Sequence, residues 1–157
     1  MVSILYLERA ENELELARIV FKITNDEKLQ KEVFMLKKPL TFYSSVISHS
    51  YSCISYSAKA YLGTKNVKTE APEEHKKTYE ALKKLVDAGE MDVELLRIYE
   101  KIMIRADVLL GIFQKEKSKR GLFTYQPLPQ ANREPPSESL NNAETFFRNM
   151  YNLCNPT

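Results

Sequence analysis

The side chains of this 157-residue chain with types and spacings suited to chemistry are two histidines, one arginine at the margin of an apolar helix face, and a basic run leading into aromatics. His49 falls on the inner line of a helix predicted over 42–62. There it serves either as a buried residue bonded to a neighbour or, near a shared surface, as a proton donor or phosphate contact. His75 falls in the first turn of a later helix, close to its inward face, where the alternative to chemistry is half-exposed packing. Arg105 lies at the rim of an apolar arc beside Ile98, Leu109 and Ile112. A guanidinium at such a margin needs a phosphate or a carboxylate for its fork, and Asp107 and the many glutamates supply the second. Lys115, Lys117, Lys119 and Arg120 run into Phe123 and Tyr125. Positive charge beside aromatic faces suits backbone contact and base stacking in single-stranded RNA, although lysines at a helix C-terminus also complement the helix dipole.

What is missing narrows the chemistry. The chain has no Gly-rich phosphate loop, no CxxC pair and no HExxH, and two histidines 26 positions apart make a poor metal set. No nucleophile elbow appears, so the expectation is no catalytic constellation, no metal and no cofactor. The 23 Lys+Arg against 21 Asp+Glu leave a net charge of +2, too little for a generic nucleic-acid binder, so any such site must be a local patch. Cys53 and Cys154 form neither a disulfide framework nor a clustered metal site and fit two ordinary thiols in a reducing cytoplasm. The N-terminal residues turn acidic after a few apolar ones, unlike a signal peptide, and no window approaches the ~18 apolar residues of a membrane span. A soluble cytoplasmic protein with no membrane partner is expected.

Only four glycines and an apolar spacing of three and four argue for an all-α chain, one domain over 1–157, built as an up-and-down bundle of four to five main helices. The stretch from Thr41 to Gly63 is its predicted centre. Phe42, Val46, His49, Cys53, Tyr56 and Ala60 form one line and Tyr43, Ile47, Tyr51, Ile54, Ala58 and Tyr61 another, leaving Ser44, Ser48, Ser52, Ser55 and Lys59 on the remaining arc. A first helix is predicted over 3–23 with Leu7, Ala10, Leu14, Ala17 and Phe21 inward. A charged segment over 27–38 turns Leu29, Val33 and Leu36 inward and stops at Pro39. Thr41 caps the central helix and Gly63 ends it. A further helix opens near Pro72, with Thr69 or a neighbour as its cap, and ends at Gly89, burying Thr78, Tyr79, Leu82, Leu85 and Val86. Asp92 caps another helix over about 93–117, with Leu95, Tyr99, Ile102, Ala106, Leu109 and Phe113 in its heptad-like seam. Residues 122–136 hold four of the seven prolines and read as an extended arm. From Ser137 a last helix turns Leu140, Ala143, Phe147, Met150 and Tyr151 inward.

The segments AENELELAR, SHSYSCISYSAKAYL, PEEHKKTYEALKKL and LLRIYEKIMIRADVLL resemble a HEPN-domain protein, particularly the small stand-alone prokaryotic and archaeal members, over most of residues 8–112. The shared features are the helical pattern and an Ala-Lys-Ala-x-Leu-like turn, here Ala58-Lys59-Ala60-Tyr61-Leu62. The resemblance implies a helical bundle that commonly forms a homodimer, often beside a nucleotidyltransferase in a toxin–antitoxin pair. Many HEPN ribonucleases pair an arginine with a histidine a few residues later. Arg105 matches the arginine, but Leu110, Gly111 and Ile112 follow at that spacing. What is implied is a non-catalytic module that binds nucleotide, RNA or its partner through Arg105, Lys59 and the basic helix end. The alternatives are a metal-independent ribonuclease in which His49 or His75 substitutes, and a dimeric scaffold whose serine stripe permits close helix contact.

Overall fold

The computed structural model describes residues 2–103 and 134–157. All regular structure among them is helical: α1 (Val2–Thr24), α2 (Glu27–Glu32), α3 (Tyr43–Thr64), α4 (Glu74–Asp87), α5 (residues 93–103, where the described stretch stops) and α6 (Glu134–Cys154). Arg105, Ala106, Asp107, Leu109, Phe113, Lys115, Lys117, Lys119, Arg120, Phe123 and Tyr125 lie outside the described residues, as does the expected arm up to residue 133.

The predicted centre is the observed one. Helix α3 packs against α1, α4 and α6. Val46, Cys53, Ile54, Ala58, Ala60 and Tyr61, drawn from both predicted lines, are all buried, as is Leu62 outside them. With neighbours on three sides, even the serine arc is largely covered: Ser44, Ser52 and Ser55 are half-buried and only Ser48 is exposed. Ser57, outside that arc, is buried too and donates to the Cys53 carbonyl at 2.7 Å, the i−4 bond by which a hydroxyl is accommodated inside a helix.

Helix α1 runs antiparallel to α3. Ser3 lies by Gly63, Tyr6 by Tyr56, Glu13 by His49 and Thr24 by Phe42. Its buried residues Ala10, Leu14 and Ala17 are those the apolar spacing gives. Gly63 is not the stop that was expected. It lies inside α3, where a Cβ would come within 2.6 Å of Ser3 Oγ, so its bareness serves the α1–α3 approach. The helix ends instead on Asn66, in the left-handed region at φ 59, with Asn66 N–H donating to Gly63 O and Val67 N–H to Leu62 O. Thr41 is likewise displaced as cap. Phe42 takes that position without a side-chain cap of its own, and its N–H donates to Thr24 Oγ1 at 3.0 Å, so a side chain from the end of α1 fixes where α3 opens.

The charged segment departs most from the reading. Helix α2 spans six residues, opened by Asp26 Oδ1 accepting the Leu29 N–H, and ends well before Pro39. Gln30 explains why. It is 2% exposed, donates through Nε2 to Ile23 O at 2.7 Å and Leu40 O at 2.9 Å, and accepts the Leu40 N–H through Oε1. The chain is thereby drawn back on itself, and Val33 projects outward at 63% exposure instead of facing in.

Helix α4 begins after Pro72, on Glu73 in the left-handed region and without a side-chain cap. Thr69 does not cap it; its hydroxyl shares a buried 2.6 Å hydrogen bond with Thr78. Gly89 ends the helix as expected, at φ +75, with Glu90 N–H returning to Leu85 O. Asp92 caps α5 by accepting the Glu94 N–H. The last helix starts before Ser137: Pro135 and Pro136, read as the end of the arm, occupy its first turn, where proline's missing N–H has no intrahelical partner to lose. Its inner line runs through Ala143, Phe146 and Met150, all fully buried, while Tyr151 is half exposed. Phe146 meets the buried Tyr99 of α5 with ring centroids 6.3 Å apart. No helix among the described residues is long and apolar enough to cross a membrane.

Candidate functional site

The antiparallel register of α1 and α3 brings together two short motifs that are distant in sequence. Tyr6-x-x-Arg9 and Tyr56-x-x-Lys59 each place an aromatic and a cation three residues apart, on one side of a helix. Packed against each other, they make a ladder of two stacked rings with a cation at either end. Arg9 lies 5.8 Å over the Tyr56 ring, Tyr56 stacks on Tyr6 with centroids 6.1 Å apart, and the Lys59 ammonium stands 5.7 Å from the Tyr6 centroid.

The ladder opens at one end into a cleft of about 610 Å³. Its walls are the start of α1 with Ser3 and Tyr6, the end of α3 with Lys59 and Gly63, and the following loop with Asn66, Lys68 and Glu70. The loop is fixed at both ends. Asn66 reverses the chain after α3, and the Thr69–Thr78 hydrogen bond, with Lys77 Nζ donating to Glu70 O at 3.3 Å, ties the far side to α4. Lys59 is ion-paired with Glu74 in the first turn of α4, which holds the ammonium at the cleft wall rather than in open solvent. A planar ring, a positioned ammonium and a second lysine suit a planar, anionic ligand.

The two histidines are placed elsewhere. His49 Nδ1 donates to Glu13 Oε2 at 2.6 Å across the α1–α3 seam, the neighbour-bonded role weighed for it from sequence. His75 hydrogen-bonds with the Tyr51 hydroxyl, the rings edge-on with centroids 5.4 Å apart, tying the first turn of α4 to the middle of α3. Neither lines the cleft. Of the expected binding residues, then, only Lys59 reaches it, while Arg105, Lys119, Arg120 and Tyr125 lie outside the described residues. Tyr6, Arg9, Tyr56, Lys68 and Glu74 were missed. The signal that could have found the first three is the repeated aromatic-x-x-cation step on two helices predicted to be neighbours.

Burial pushes the Cys53 thiol up to about 12, so it is a packing residue and not a nucleophile, and it shifts the half-buried Cys154 thiol in the same direction. Both cysteines are free. Among the described residues no group of three or more His, Cys, Asp or Glu is arranged to hold a metal ion.

No protein-family model, no curated protein and no solved structure matches this chain.

Proposed function

We propose that this chain is a HEPN-type helical module that binds a nucleotide or a short single-stranded RNA segment without cleaving it. It acts in the cytoplasm as a homodimer beside a nucleotidyltransferase of a toxin–antitoxin pair. The observation that carries the binding role is the convergence of Tyr6, Lys59 and Lys68 on one cleft, an aromatic ring with two lysines in the same walls, one of them ion-paired with Glu74. The position of both histidines away from that cleft, each bonded to a protein side chain, supports binding over cleavage, which needs a titratable group at the reacting oxygen. The all-helical architecture accords with the family resemblance, and two free thiols accord with a reducing compartment.

Fluorescence anisotropy with labelled single-stranded RNA and with nucleoside triphosphates tests the reading. The expected result is saturable binding that the Lys59→Ala/Lys68→Ala variant weakens at least about tenfold, with a shallower salt dependence because fewer phosphate contacts remain. Binding indifferent to both lysines overturns the cleft as the site. RNA fragments that vanish in an Arg105→Ala variant would assign the ribonuclease alternative, and self-association with no affinity for either probe would assign the scaffold.

A further inference from the structure

At the other end of α1, about 33 Å from the cleft by the rise of a 23-residue helix, the chain builds a second surface of different chemistry. After α2 the consecutive residues Val33, Phe34 and Met35 are 63%, 49% and 76% exposed. These side chains are not on a slack loop. Gln30, itself buried, clamps both sides of the segment through its bonds to Ile23 O, Leu40 O and Leu40 N–H, and its own carbonyl accepts the Leu36 N–H at 3.0 Å. Met35 is held at φ 56, a conformation that non-glycine residues seldom adopt. The fold thus spends a buried polar side chain and an unfavourable backbone angle on presenting three apolar side chains to water.

Around this tip the charges are of one predominant sign. Lys28, Lys31, Lys37 and Lys38 are all exposed, and with Glu27, Gln30, Glu32, Leu36 and Pro39 they line a cleft of about 460 Å³ at the base of the tip. Four lysines against two glutamates leave +2 over residues 27–39. None of the four lysines is ion-paired among the described residues.

We propose that this element is a peripheral membrane contact: Val33, Phe34 and Met35 enter the headgroup–acyl boundary of an anionic bilayer, and the lysine-lined cleft behind them receives lipid phosphate. Such a contact departs from the sequence-based expectation of no membrane partner, and it requires no spanning helix. A projecting apolar tip ringed by lysines has the complementarity of an anionic lipid surface, where each lysine near the headgroups adds attraction. It is poorly matched to a protein interface, from which lysine is depleted. A nucleic acid would call for several stacking faces, and of the three tip residues only Phe34 provides one. Lysine stems also lie readily along the apolar boundary while their ammonium groups stay in water. The inference is independent of the nucleotide cleft.

Co-sedimentation of the full chain with vesicles of phosphatidylcholine alone, and with vesicles of equal parts phosphatidylcholine and phosphatidylserine, decides it. Binding is expected only to the second, and it should weaken as salt is raised. Phe34→Glu/Met35→Glu should lower the partition coefficient at least about tenfold by removing the inserted side chains. Lys37→Glu/Lys38→Glu should lower it by about tenfold through charge reversal, with circular dichroism unchanged in both variants. Lys59→Ala should bind vesicles as the parent does, which separates this surface from the nucleotide cleft. No vesicle binding, equal binding to both compositions, or binding retained by Phe34→Glu/Met35→Glu overturns the proposal. So does self-association that only this last variant abolishes, which would assign the tip to a contact between copies.

Discussion

The two sides of α3 are held by different forces. Toward α1 and α6 the contact is an apolar seam in which Ala10, Leu14, Val46, Cys53, Ile54, Ala143, Phe146 and Met150 are at most 2% exposed. Toward α4 the only fully buried residues of the partner helix are Thr78 and Leu82, with Tyr79, Ala81, Leu85 and Val86 half-buried against the core, and polar ties add direction: Tyr51 to His75, Lys59 to Glu74 and, from the connecting loop, Thr69 to Thr78. The short α2 belongs with this second kind, since Gln30 anchors it by hydrogen bonds. Apolar burial scales with area and is indifferent to small changes of angle, so the seam provides stability. Hydrogen bonds and ion pairs have direction and modest net energy, so the flanks provide geometry. The cleft and the apolar tip, the two features on which the proposals rest, are both shaped by polar ties at the margin of the seam.

The hardest test of that division is Phe146→Ala. Removing a fully buried ring packed on Tyr99 should lower stability by about 3–5 kcal/mol, and hydrogen exchange should quicken in every helix together. Acceleration confined to α6 would break the comparison.

The next effect is expected in alkali. The Cys53 thiol ordinarily titrates near 9.0 but is pushed up to about 12 by burial in the seam, and burial raises the Tyr99 phenol as well. The unfolded chain therefore loses these protons first. The stability involved is fully present below pH 9.0 and is lost as pH rises through about 12, amounting to about 4 kcal/mol for the thiol. Denaturant unfolding across that range should show the decline, and Cys53→Ala should flatten it. A parent curve with no decline would mean that the seam opens readily to water.

Gln30→Ala comes third, at about 1–3 kcal/mol, because backbone groups of Ile23 and Leu40 lose their partner. Its signature should be local, with faster exchange over residues 27–40 and little change in α1 or α3. Global unfolding would erase the distinction between seam and flank. Gly63→Ala should have the smallest effect, within about 1 kcal/mol. The Ala side chain favours helix but meets Ser3 Oγ, which can rotate away, and a Ser3→Ala/Gly63→Ala chain should be at least as stable as the parent.

Much of the seam was legible in the sequence because its side chains repeat with the helix itself. Ala10, Leu14 and Ala17, the two lines of α3, and Leu140, Ala143 and Met150 all follow from the spacing of apolar residues, and Gly89 from the left-handed turn that ends α4. The misses cluster where a long-range hydrogen bond overrides a local rule. Val33 has the spacing of an inward residue but is turned out by Gln30, and Thr41 has the type of a cap but is pre-empted by Thr24. At α6 the apolar pattern allowed Phe147 and Tyr151, and packing against Tyr99 selected Phe146. Of the expected ligand residues, Lys59 reaches the cleft while His49 and His75 are taken up by Glu13 and Tyr51.

Periodicity thus determined that this chain forms amphipathic helices gathered around α3, since the placement of side chains on a helix is fixed by its own geometry. Which helix faces meet, and so whether Tyr6 and Arg9 stand against Tyr56 and Lys59 or whether three apolar side chains are held out in water, was decided by the antiparallel register and by a few directional bonds between distant residues. No local spacing encodes these choices, because the partners meet only when the chain closes on itself.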